Sequence, residues 1–104
     1  EDSLFIKERK NLANNGYIEL TLIISAKGKL HNKPLIYIKG LPVFEKEDFI
    51  FGLEDEIIKI TKTFSLTNPK QNENLIEGLK KTCRKYTKEK TGKKPITNIN
   101  VIRI

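Results

Sequence analysis

The chain has 104 residues, enough for one domain with one core, and no run approaches the ~20 apolar residues that crossing a bilayer requires. One Cys and one His exclude an internal disulfide and a zinc site, which needs three or four closely spaced ligands. The net charge is +7, and it is unevenly spread.

Lys80, Lys81, Arg84, Lys85, Lys88, Lys90, Lys93 and Lys94 face only Glu89 within their own stretch, which supplies the whole excess, because twelve basic and twelve acidic groups cancel elsewhere. Such asymmetry favours an anionic partner, nucleic acid above all. Glu1-Asp2-Ser3 has neither the basic nor the apolar region of a signal peptide, and a start without Met reads as a piece of a longer protein. The single cysteine fits a reducing, cytoplasmic setting.

Residues 1–16 read as a lead-in from a preceding linker, with a short helix or approach segment over Leu4 to Leu12 closed by Asn14-Asn15-Gly16. Residues 17–104 read as the domain proper. Ile18, Leu20, Leu22 and Ile24 alternate with Tyr17, Glu19, Thr21 and Ser25, which predicts a strand with one buried face. Lys27-Gly28-Lys29 makes a turn, and a second strand follows over about Leu30 to Lys39. Its solid run Leu35-Ile36-Tyr37-Ile38 predicts a central strand, or one covered on both faces.

Ile50, Leu53, Ile57, Ile60 and Phe64 recur at helical spacing, with Glu45, Glu47 and Asp48 near the favourable positive end of that helix. Asn68-Pro69 breaks the pattern. A second helix buries Leu75, Leu79, Cys83 and Tyr86 and ends at Gly92, with Pro95 preventing continuation. Ile96 to Ile104 closes the chain as a strand, with Ile96, Ile102 and Ile104 on one face and Ile99 and Val101 on the other. The fold class is α+β: a three-stranded sheet in the order β-β-α-α-β, with both helices on one face. The other face keeps enough apolar side chains to imply a partner.

Most chemistry-bearing residues read as structural. His31 is a surface histidine, and Cys83 is a small core residue without a base partner. Glu54-Asp55-Glu56 fan over about 200° of a helix and cannot converge on one ion. The exception is the basic face of the second helix, where Lys81, Arg84, Lys85 and Lys88 stand at i, i+3, i+4 and i+7, with Lys93 and Lys94 just beyond. These six are candidates for contact with RNA phosphates, a chemistry that needs only charge and reach. No aromatic platform for stacking bases stands near them, and neither a GxxG loop between helices nor aromatic strands of the RNA-recognition type are expected. Leu35, Tyr37, Ile99 and Val101 are the candidates for an oligomer interface.

Two stretches together resemble the C-terminal domain of the ribonuclease J family. Pro34-Leu35-Ile36-Tyr37-Ile38-Lys39-Gly40 is similar to its "P-x-I-x-S-R-G" segment, and Thr91-Gly92-Lys93-Lys94-Pro95-Ile96 to the "T-x-R-x-P-M-I" segment opening its last strand. Arg9-Lys10-Asn11-Leu12 and Gly16 resemble its lead-in, so the likeness covers about residues 7 to 104. Lys39 stands where the family usually has Arg, and Ile99 where a second proline is common, as in a diverged paralogue. The resemblance implies a parent that is a cytoplasmic metallo-β-lactamase/β-CASP hydrolase, cutting RNA internally and from its 5′ end. Two zinc ions in its N-terminal part would activate water. No such ligand is in this chain, so it implies no cofactor and no catalytic residue here. It implies an accessory domain that assembles dimers or tetramers with itself or a paralogous subunit and meets RNA through the parent.

Overall fold

A computed structural model describes residues 15–104. The reading of a helix over Leu4 to Leu12 lies outside the described residues. Strand β1 (Tyr17–Ile24) is the central strand, flanked by β2 (Leu35–Lys39) and β3 (Ile96–Arg103). Helices α1 (Lys46–Thr61) and α2 (Asn72–Thr91) lie between β2 and β3 in sequence, and both cover one face of the sheet. The expected order and layering are those observed.

β1 follows its alternation: Ile18, Leu20, Leu22 and Ile24 are fully buried against the helices. At its end Ser25 N–H donates to Lys29 O at 2.8 Å and Gly28 N–H to Ser25 O at 2.9 Å. Gly28 holds φ +75°, where an added Cβ would collide with the Thr67 methyl. The chain then returns antiparallel to β1, pairing Tyr17 with Lys39 and Thr21 with Leu35.

β2 is thus an edge strand, not a central one, and it begins at Leu35 rather than Leu30, which makes only an isolated bridge to Ile24. Only Ile38 of its apolar run is buried. The centre belongs to β1 because β3 comes back parallel to it, with Tyr17 opposite Ile96 and Ile24 opposite Arg103.

On α1 the buried line is Phe49, Leu53, Ile57 and Thr61. Ile50, Ile60 and Phe64, expected on the main stripe, pack beside it half-buried. Asn68 caps the short 3-10 turn Pro69–Gln71, its side-chain oxygen accepting from Lys70 N–H at 3.0 Å. α2 buries Leu75, Leu79 and Cys83 as its spacing predicts, together with Thr87, while Tyr86 is half-buried and donates its hydroxyl to Phe49 O at 2.9 Å. Gly92, at φ +75°, ends the helix, its N–H donating to Lys88 O at 2.8 Å.

Arg103 fastens the last strand to the connection between the helices, donating to Leu66 O at 2.6 Å and Asn72 Oδ1 at 2.7 Å. The Thr87 hydroxyl is buried with no hydrogen-bond partner among the described residues. Thr87→Val keeps the shape and removes that stranded oxygen, so urea titration is expected to show about 1 kcal/mol of added stability.

Candidate functional site

Two surfaces carry features that the core does not require. The first is the solvent face of α2. Successive residues turn by about 100°, which sets Lys81, Arg84, Lys85 and Lys88 opposite the buried line, and all four are exposed. Among the described residues the one ion pair is Lys59 with Glu56 at 3.5 Å, and none of these four makes one. Lys93 is half-buried and Lys94 exposed, on the loop after Gly92. Their backbone N–H groups donate to Thr91 Oγ1 at 3.1 Å and Asn15 Oδ1 at 3.5 Å. They extend the positive strip past the helix end.

On the side towards α1 the strip meets a shallow groove of about 350 Å³ lined by Glu56, Thr82, Lys85, Tyr86, Glu89 and Lys90. Lys90 stands 5.6 Å from the Tyr86 ring centre. Burial raises the Tyr86 phenol above its ordinary range, and Glu56, Asp55 and Asp48 push it further in the same direction. The positive strip therefore has an acidic border.

The second surface is the face of the sheet that no helix among the described residues covers. Residues paired across neighbouring strands share a face, so Tyr17, Glu19, Thr21 and Ile23 of β1 lie with Leu35, Tyr37 and Lys39 of β2 and with Ile96, Asn98, Asn100 and Ile102 of β3. Leu35 and Tyr37 remain 56% and 54% exposed, and Ile102 and Ile104 46% and 62%.

Two of the four interface candidates do not belong here. Ile99 and Val101 lie opposite Leu20 and Leu22, on the helix-covered face; Ile99 is buried and Val101 half-buried against the core. The outward apolar residues of β3 are Ile96 and Ile102, with Ile104 just past its end. Sequence reasoning also missed an aromatic pair: Tyr17 and Tyr37, far apart in the chain, meet edge to face at 6.5 Å.

The middle of this face is polar. Tyr17 donates to Glu19 Oε1 at 3.0 Å, and Asn100 Nδ2 donates to Glu19 Oε2 at 3.1 Å and Thr21 Oγ1 at 3.2 Å. Apart from Ile23 at the end of β1, the aliphatic side chains and Tyr37 are thereby divided between two margins, Leu35 and Tyr37 on one side and Ile96, Ile102 and Ile104 on the other.

Among the described residues no three His, Cys, Asp or Glu side chains gather as metal ligands, and no helix is long and apolar enough to cross a membrane. His31 is exposed beyond the β1 turn.

The two segments that resembled a known family occupy structural junctions. Pro34 is buried at the start of β2 and Gly40, at φ +72°, ends that strand, while Thr91 to Pro95 join α2 to β3. The family model for the ribonuclease J C-terminal domain matches residues 4–104. The chain belongs to this family. No curated protein matches it.

In this ribonuclease J C-terminal domain, burial pushes the Cys83 thiol up to about 12. The sign of the pH effect follows. The unfolded thiol ionises near 9 while the folded one keeps its proton, so this contribution to stability is intact below pH 9 and is lost as pH climbs towards 12. Denaturation at stepped alkaline pH should show stability falling by up to about 1.4 kcal/mol per pH unit in that window, and Cys83→Ala should remove that part of the slope.

Proposed function

We propose that this domain serves the self-association of a ribonuclease J-type parent and carries no catalysis itself. The zinc-dependent cutting of RNA, and the zinc, belong to the rest of that cytoplasmic protein. The supporting observation is the apolar material on the sheet face that no helix among the described residues covers, Leu35, Tyr37, Ile102 and Ile104, opposite the core on the other face. Large apolar side chains left outside a finished core mark contact sites. The partner is another copy or a paralogous subunit, in a dimer or tetramer. Sedimentation of the chain over a hundredfold range of concentration tests this: mass rising with concentration supports the reading, and constant monomer mass removes it.

A second reading is favoured by the exposure of Lys81, Arg84, Lys85 and Lys88, which make no ion pair among the described residues. This strip, with Lys93 and Lys94, would hold the RNA backbone near the nuclease. Lys85→Glu with Lys88→Glu should then weaken RNA binding at least tenfold and leave the thermal transition in place. Equal affinity of both proteins would sink it.

A further inference from the structure

Among the described residues the sheet has two edges without a neighbouring strand, and they are unequally protected. β2 is five residues long, is entered from Pro34, and is left through Lys39, Gly40 and Pro42. Short length, lysine and proline are the usual devices that blunt an edge against a foreign strand. β3 is eight residues long, and Ile96 to Ile102 contain no charge, no proline and no glycine. No bulge interrupts its register with β1.

Ile96 N–H donates to Gly16 O and Ile104 N–H to Ile24 O, each at 3.0 Å. Backbone groups of alternate residues in such a ladder face the neighbouring strand. Those of Thr97, Ile99 and Val101 therefore turn to the outer edge, where no strand among the described residues meets them.

We propose that β3 is the seam by which two copies of this chain join, antiparallel about a two-fold axis at Ile99, into one continuous sheet. This rests on the self-association reading and names its surface. The occupant is a second copy because the strand is complementary to itself in that register. Ile96 faces Ile102 and Asn98 faces Asn100 on the open side. Thr97 faces Val101 and Ile99 faces its own counterpart on the helix side.

Ile meets Ile and Asn meets Asn, the β-branched Thr97 meets the β-branched Val101, and no charge is set against another. An axis at Asn100 would instead oppose Asn98 to Ile102 and Thr97 to Arg103. The polar network in the middle of the open face points the same way, since it leaves Ile96 and Ile102 at the β3 margin, within cross-strand reach of a partner strand. The two-fold closes at two copies, and the outer edges of the joined sheet are then the blunted β2 strands.

The test is residue-resolved amide hydrogen exchange on the unmodified chain across a hundredfold concentration range. The seam predicts that the Thr97, Ile99 and Val101 amides gain at least about tenfold protection as mass doubles, while exposed loop amides do not change. A dimer in which those three amides exchange independently of concentration overturns the seam and leaves self-association standing. A strict monomer overturns both. The register has its own check in two double variants, each compared by its dissociation constant. Ile96→Lys with Ile102→Lys opposes like charges and should weaken the dimer at least tenfold. Ile96→Lys with Ile102→Glu opposes unlike charges and should recover most of that loss. Equal weakening in both variants overturns the Ile99 axis.

Discussion

Truncating Ile99 to Ala is expected to lower the unfolding free energy by about 2–4 kcal/mol, and truncating Ile102, three residues on, by less than about 1 kcal/mol. The two share a strand and a residue type, so propensity and chemistry cancel between them. Ile99 lies beside Leu20, under the helices, and its loss opens a cavity that a close-packed interior cannot fully close. Ile102 lies beside Ile23 on the open face and is 46% exposed. Urea titration of both variants decides the matter. Equal losses would mean that the two faces of β3 are not distinguished as described, and the seam would lose its open-side pairing of Ile96 with Ile102.

Salt is expected to act with opposite sign on the two functional readings. If Lys81, Arg84, Lys85 and Lys88 each neutralise one phosphate of single-stranded RNA, the logarithmic slope of affinity against salt is about −2.8, or roughly a fiftyfold loss between 50 and 200 mM. Joining two copies brings together two chains of net charge +7, so screening relieves repulsion and association should hold or tighten over the same range. Parallel titrations by fluorescence anisotropy and sedimentation make the comparison. An RNA affinity indifferent to salt would remove the phosphate contacts. Self-association that collapses in salt would show an ionic seam, against the uncharged one argued from β3.

The pair Ile99 and Ile102 also shows where the sequence was legible and where it was not. The β3 pattern alternates apolar groups on both sides, Ile96, Ile102 and Ile104 against Ile99 and Val101, so period two defines two faces without saying which is buried. Only the parallel register with β1, a contact between residues some eighty positions apart, breaks the tie.

The same distance hid the Tyr17–Tyr37 pair and the rank of β2. Leu35 to Ile38 carry the apolar density of a central strand, yet Pro34 and Lys39 at their borders are the local marks of an edge. On α1 the spacing found the helix and the two residues at the middle of its buried line, Leu53 and Ile57, but took Ile50 and Ile60 for its flanks where Phe49 and Thr61 are the buried ones. Local features fared better. The β1 alternation, the Gly92 helix end, the buried Cys83 and the exposed basic strip each follow from residues within two turns or one strand of each other.

The parallel alignment of β1 and β3 has a mechanical consequence. Tyr17, where the chain enters the sheet, and Arg103, where it leaves, lie at opposite ends of two strands bonded side by side along their whole length. Tension applied between these points slides one strand along the other and loads every rung of the ladder at once. Tension applied between Tyr17 and Lys39, which lie side by side at one end of the antiparallel hairpin, peels its rungs one after another. Single-molecule stretching through the first pair should therefore need a markedly higher force than through the second. A domain built this way acts as a latch against traction along the chain, while its β2 strand can be peeled off far more gently.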